Sequence, residues 1–172
     1  MQTNHQLKIV VLLATVLLLC GANFPVAAET PQSYGPQSKY FGGGLYLGEP
    51  TGLTVKGYLA QRLALDGVFA WSLNDEAFNL IGDISYEFLD IRTDSQNFSI
   101  PFYAGVGLKL GFDEDGENDG ETEVGIRVPV GIAFQFTKHP IELFLEISPG
   151  IQVAPDSEID VTGGIGGRFY FF

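Results

Sequence analysis

An all-β antiparallel barrel is the fold class this sequence predicts, and three observations carry the prediction. Apolar residues recur with period two along about eight segments. No segment has the 3.6-residue period of a convincing amphipathic helix. Glycine, at 22 residues, falls inside those segments as often as between them. Most segments are also near the roughly 9 to 11 residues of a tilted membrane-crossing strand, which points to an eight-stranded antiparallel up-and-down transmembrane β-barrel.

Two segments without period two precede the first strand. Lys8 stands before an uncharged run from Ile9 to Leu19, followed by small residues through Ala28. This is the layout of a secretory signal, well short of the roughly 20 apolar residues of a spanning helix. Cleavage is expected after Ala28, which divides the chain into a signal peptide (1–28), a flexible leader rich in Pro, Gln and Ser (29–39) and the barrel (40–172). Cys20, the one cysteine, lies inside the signal. Leu19 is too large for the position before a lipidated cysteine, so the mature chain is expected to hold no disulfide or thiolate metal site. Removing residues 1–28 removes one base, Lys8, and no acid, taking the formal charge from −12 to −13. Such a chain is a poor electrostatic partner for nucleic acid or an anionic surface.

The strands follow in order, each sorting its charges onto one phase. The first, 40–48, has glycines 42 and 44 on that phase. The second, 53–60, sets Lys56 against Leu53, Val55 and Leu59. In the third, 63–71, Asp66 opposes Leu65, Phe69 and Trp71. The fourth, 78–88, places Asp83 and Glu87 against Leu80, Ile84, Tyr86 and Phe88. The fifth, 99–111, carries Lys109 opposite Val106, Leu108 and Leu110. In the sixth, 124–137, Arg127, Pro129 and Gln135 alternate with Ile126, Val130, Phe134 and Phe136. The seventh, 141–149, sets Glu142 and Glu146 against Ile141, Leu143, Leu145 and Ile147, and the eighth, 161–172, sets Arg168 against Ile165, Phe169 and Phe171. The connections QR and TKHP are short enough for inward-side turns, and the acidic DEDGENDGETE is long enough for an external loop. DIRTDSQN is longer than an inward turn should be.

One phase thus carries four bases and five acids, and the other none. On the surface of a soluble barrel this phase, rich in Gly, Ala and Tyr, would hydrate poorly. Turned toward lipid, each Lys or Arg would cost roughly 2–4 kcal/mol near the midplane, against a whole-domain stability of about 5–15 kcal/mol. The charged phase is therefore expected to line the lumen, with Lys56, Asp66, Asp83, Glu87, Lys109, Arg127, Glu142, Glu146 and Arg168 forming a mutually neutralising network. Glycines 42, 44, 105, 107, 164 and 166 would make room for Tyr58, Tyr103 and the arginines. Trp71, Tyr46, Tyr86, Phe88, Phe102, Phe134, Phe136, Phe169 and Phe171 would form aromatic girdles at the membrane interfaces.

The chain ends GGIGGRFYFF. A final strand with alternating apolar residues and a terminal aromatic is what the assembly machinery of outer-membrane barrels reads, which assigns Phe169, Phe171 and Phe172 to that signal. Phe172 lies one place beyond the phase of Phe169 and Phe171. With the blocks LGEPTGLTVKGYL (47–59), LALDGVFAWS (63–72), IPFYAGVGLKLGF (100–112), GIRVPVGIAFQF (125–136), IELFLEISPGI (141–151) and GGRFYFF (166–172), the chain resembles a group of small, largely uncharacterised bacterial outer-membrane β-barrel proteins. The resemblance implies the fold and an outer-membrane location, with outer-membrane lipid, lipopolysaccharide and the barrel-assembly machinery as partners of a monomer. It implies no activity.

Catalysis is not expected. Apart from the signal, the chain has one histidine, His139, and it sits in the TKHP turn beside a proline. An EF-hand begun at Asp115 would need Glu at 126, where the chain has Ile. Asp113, Asp115 and Asp119 would therefore give at most a weak cation contact, and no cofactor is expected. Two other functional classes compete with the membrane reading. A soluble periplasmic lipocalin-like carrier would need an apolar interior for its ligand. A lipid-modifying outer-membrane enzyme would need reactive residues that this chain lacks.

Overall fold

The computed structural model describes residues 35–71, 77–92, 97–113 and 122–172. The signal segment and parts of three connections, including Asp115 and Asp119, lie outside the described residues. The described chain is almost wholly strand: β1 (Phe41–Glu49), β2 (Thr51–Ala60), β3 (Leu63–Trp71), β4 (Ala77–Arg92), β5 (Phe98–Asp113), β6 (Thr122–Arg127), β7 (Val130–Phe136), β8 (Ile141–Ala154) and β9 (Glu158–Tyr170). Every ladder is antiparallel, and the ladders close on themselves. β1 pairs with β2 and β9, β4 with β3 and β5, and β8 with β9 and with both β6 and β7.

Nine strands thus fill eight places in one ring, because the segment 124–137, expected as one strand, is divided into β6 and β7. The cause is Pro129, which has no N–H to give to a ladder. The break is confined to Val128 and Pro129: Val128 N–H still donates to Pro149 O and Gly105 N–H to Pro129 O, both at 2.9 Å. The partners of β6 and β7 on β5 continue in one register, from Gly107↔Arg127 to Tyr103↔Gly131.

Other boundaries differ from the expected ones because ladder hydrogen bonds extend strands past the point where apolar alternation ends. β4 runs on to Arg92 and pairs Asp90, Ile91 and Arg92 with β5, so the first three residues of the stretch read as the DIRTDSQN connection belong to a strand. A bulge between Glu87 and Leu89 switches the phase of β4 and leaves Phe88 and Leu89 both exposed. β9 starts at Glu158, inside the stretch read as the PDSEID connection, and β8 reaches Ala154. The end of the expected leader forms a 3-10 turn, Pro36–Ser38, with Pro36 buried. Gln37 Nε2 donates to Lys138 O at 2.6 Å and Lys39 Nζ to Phe171 O at 3.2 Å, which ties this turn to the end of the ring where the chain terminates.

The ring is staggered. From Gly42 the register passes through Lys56, Asp66, Asp83, Gly107, Arg127, Gly150 and Asp160. Since β1 meets β9 at Glu49↔Gly163, Asp160 is level with a point three residues past Glu49, ten residues along the line of β1 from Gly42.

Burial follows the phases closely. Along β8, Glu142, Phe144, Glu146 and Ser148 are 0–8% exposed, while Leu143, Leu145 and Ile147 between them are 49–58% exposed. The core is therefore polar at its centre, and the outer face is a continuous apolar belt.

Candidate functional site: the charged interior of the ring

Period-two backbone puts every second side chain inside a closed ring, and the nine expected lumen charges all project there. Lys56, Asp66, Asp83, Arg127, Glu142, Glu146 and Arg168 are buried, and Glu87 and Lys109 partly so.

Arg168 is the main junction. It reaches Glu142 Oε1 through Nη1 at 2.8 Å and Asp66 Oδ1 through Nη2 at 3.1 Å, and it donates to Thr54 Oγ1 from Nε and Nη2 at 3.1 and 2.9 Å. Arg168 and Thr54 face β1 from opposite sides at the same level, each opposite Gly44. The absence of a side chain at Gly44 lets the guanidinium pass over β1 to β2; a Cβ there would lie 1.8 Å from Gly167 O. Lys56 adds contacts to Glu87 at 3.2 Å and Glu142 at 3.8 Å. Tyr58, Gln135 and Tyr170 complete this cluster: the Tyr58 hydroxyl donates to Glu87, and Gln135 Nε2 and the Tyr170 hydroxyl donate to Glu142.

Arg127 organises a second cluster. Its Nη2 lies 2.5 Å from both Glu146 Oε1 and Ser148 Oγ. Its Nε is 3.2 Å from Asp83 Oδ1, a charge contact in which neither atom makes an aligned hydrogen bond. The Tyr103 hydroxyl donates to Glu146 at 3.0 Å. Asp66 and Asp83 are direct cross-strand neighbours, a like-charge pairing that is unfavourable by itself. Each carboxylate has its own arginine, Arg168 for Asp66 and Arg127 for Asp83. A third contact, Lys109 Nζ to Asp160 Oδ2 at 2.8 Å, sits toward the far mouth and is more exposed.

Aromatic rings fill the space between clusters. The Phe144 ring lies over Gly166 and under the Arg168 guanidinium, whose Cζ is 4.0 Å from the ring centroid. A Cβ at Gly166 would meet that ring at 2.3 Å and Leu45 O at 2.6 Å. Gly166→Ala is therefore expected to cost about 1–3 kcal/mol by overpacking, read as a lower urea midpoint with an unchanged m-value. The companion change Phe144→Leu should recover part of the loss.

Sequence reasoning misplaced Tyr46 and missed several partners. Tyr46, expected in an outer girdle, is 2% exposed and packs inside against Phe144 at a centroid distance of 5.9 Å. It shares parity with Gly42 and Gly44, so it belongs to the inward phase. Trp71, Phe88, Phe134, Phe169 and Phe171 do face outward, while Tyr86, Phe102 and Phe136 are half-buried. Asp160 was hidden by reading its segment as a connection; its even parity with Arg168 was the available signal. Thr54, Ser148 and Ser85, whose hydroxyl donates to Asp66 Oδ2 at 2.5 Å, carry no charge and gave no signal, and Gln135 was placed on the inward phase by parity but not joined to the network. His139 is exposed in the turn between β7 and β8. Asp113 ends β5, and among the described residues no group of three His, Cys, Asp or Glu side chains is placed to hold a metal ion.

A family model described as a protein of unknown function (DUF3996) matches residues 36–171. The chain belongs to the DUF3996 family. The match runs from the first residue of the 3-10 turn to the penultimate residue of the chain, so the family region contains all nine strands and every charge of the interior clusters. No curated protein and no solved structure matches the chain.

Proposed function

We propose that this DUF3996 chain is an eight-stranded up-and-down β-barrel of a bacterial outer membrane, exported by its first 28 residues. Its role is structural or in surface interaction, without catalysis. The observation that carries the reading is the inverted polarity of a closed ring. Lys56, Glu142 and Arg168 are at most 4% exposed, while Leu53, Leu145, Ile147, Val161 and Ile165 are each more than 50% exposed. In water such a belt would be an exposed apolar patch far beyond what a soluble monomer carries. In lipid it is the solvent-facing surface.

The stagger gives dimensions that support this reading. Eight ladder positions spaced about 4.8 Å apart, with a ten-residue stagger at about 3.3 Å per residue, correspond to a strand tilt of about 41° and a backbone radius of about 8 Å. Along β8 the outward residues from Ile141 to Val153 are all apolar. The ten steps from Ile141 to Ile151 at that tilt rise roughly 25 Å, the height of the apolar band of an outer-membrane barrel, and the end of β9 paired with Ser148–Gln152 then stands at the upper rim of that band. A barrel this narrow is filled by its side chains, and the ion-pair clusters occupy the space a channel would need.

A ligand carrier of lipocalin type would reverse both faces, with an apolar interior and a charged exterior. Electrophoresis of the protein purified from an outer-membrane fraction, with and without boiling in detergent, tests the proposal. The expected result is a heat-dependent mobility shift. Recovery in the soluble periplasmic fraction with no shift would overturn the membrane reading.

A further inference from the structure

The ring is not level at the mouth away from the chain termini. β1 and β2 are joined there by Pro50 alone, and the β1–β9 ladder stops at Glu49↔Gly163. β9 continues beyond that point as Glu158–Thr162, held on its other side by β8 from Gln152↔Glu158 to Ser148↔Thr162. Five residues of β9 therefore rise above the β1–β2 hairpin with β8 on one side and, among the described residues, no strand on the other.

The direction of the backbone groups on this edge follows from the opposite end of the strand. Tyr170 N–H donates to Pro140 O, on the β8 side, and Phe171 N–H donates to Phe41 O, on the β1 side. Even residues of β9 thus turn their N–H and C=O toward β8, and odd residues turn theirs toward β1. Above Gly163 the odd residues are Ile159 and Val161, which present two N–H and two C=O groups at the open edge. Their side chains are outward, apolar and 48% and 60% exposed. The neighbouring even positions carry acids: Glu158, exposed, and Asp160, paired with Lys109, with exposed Asp156 in the adjoining connection.

We infer that this edge binds an extended segment of a partner protein by adding a strand to β9, and that the segment alternates basic and apolar residues. Strand addition takes its affinity from main-chain hydrogen bonds and its selectivity from alternate side chains. A guest residue opposite Ile159 or Val161 shares their outer face and exchanges hydrogen bonds with them, so it is apolar. The residues between project to the face of Glu158 and Asp160, so they are basic. A second copy of this chain is a poor guest: antiparallel pairing of the edge with itself matches Ile159 to Val161 and brings the two Asp160 residues opposite each other, a like-charge pair. The inference deepens the surface-interaction role proposed above, but the edge is a property of the ladder register and does not depend on the medium around the ring.

The test uses the full chain folded in detergent micelles and a fluorescein-labelled, amidated peptide of sequence KVKVKVK, with binding read by fluorescence anisotropy. The heat-dependent shift is scored on the same sample, so failure of the membrane reading and failure of this inference are separately visible. Saturable binding is expected, weakened about tenfold or more by N-methylation of the valines, which removes the edge hydrogen bonds, and by replacing the lysines with glutamates. Val161→Pro deletes an edge donor without touching the β8 ladder, because Pro is tolerated where the N–H faces outward; it should weaken binding to the same degree in a chain that keeps its fold. Equal binding by the N-methylated peptide, or no binding of KVKVKVK, overturns the inference even if the Val161→Pro chain does not fold. Undiminished binding by a folded Val161→Pro chain overturns it too. A concentration-dependent dimer in sedimentation velocity, abolished by Val161→Pro, would assign the edge to a second copy instead.

Discussion

Replacing Arg168 with methionine is expected to lower the free energy of unfolding by about 3–5 kcal/mol, the cost of removing one partner from a buried ion pair. Arg168 is 4% exposed and holds Asp66 and Glu142, themselves 8% and 0% exposed. Methionine fills much of the volume but leaves both carboxylates short of a cation, with Lys56 the nearest substitute for Glu142 at 3.8 Å. Unfolding in urea, followed through the one tryptophan, Trp71, measures the loss. Adding Asp66→Asn and Glu142→Gln to Arg168→Met separates charge from packing. If the cost is that of unpaired carboxylates, the triple variant recovers most of it. An equal deficit in single and triple variants would mean that the packing of Arg168 on Phe144 dominates.

An arginine in place of Ile147 is expected to have opposite consequences in lipid and in water. Ile147 lies near mid-height of the outer belt and is 58% exposed. In a bilayer the change should cost about 2–4 kcal/mol, because the guanidinium enters hydrocarbon. In a water-soluble ring the same exposed position would tolerate it within about 0.5 kcal/mol. Folding titrations in vesicles thus probe the medium around the ring independently of any mobility shift. Moving the substitution toward the rim, to Val153, should reduce the penalty, since the cost falls with depth. A uniform effect at Ile147 and Val153 would count against a membrane belt.

Which residues face inward was legible in the sequence because period two is local. Lys56, Asp66 and Glu142 stand out of phase with their apolar neighbours, and parity alone assigns them to one face. Who pairs with whom was not legible, because pairing depends on the register of eight ladders and on the stagger they accumulate. Nothing local to Arg168 indicates that it meets Thr54, which is 114 residues away and reached over Gly44. Parity was also lost where the backbone departs from a regular strand. The bulge at Phe88 reverses it within β4, and Pro129 divides a segment whose alternation reads straight through. Tyr46 shows a different weakness: an aromatic residue suits a membrane interface and a filled interior equally well, and only parity with the neighbouring glycines separates the two. Strand ends were the least legible, since polar residues such as Asp90 and Glu158 continue ladders that apolar alternation has already left.

The position of Arg168 also bears on the order in which the proposed barrel could be assembled. Arg168 and Glu142 are cross-strand neighbours in the β8–β9 hairpin, as Lys56 and Asp66 are in β2–β3. In each of these hairpins one base and one acid already stand side by side before any long-range contact exists. β1, the strand that must meet β9 last, turns inward only Gly42, Gly44, Tyr46 and Gly48 and brings no charge to the seam. When the seam forms, Arg168 keeps Glu142 and gains Thr54 and Asp66 across the glycine at 44. The arginine then acts as a latch on the seam, and an open intermediate that has not yet captured β1 lacks both of the latch's far contacts.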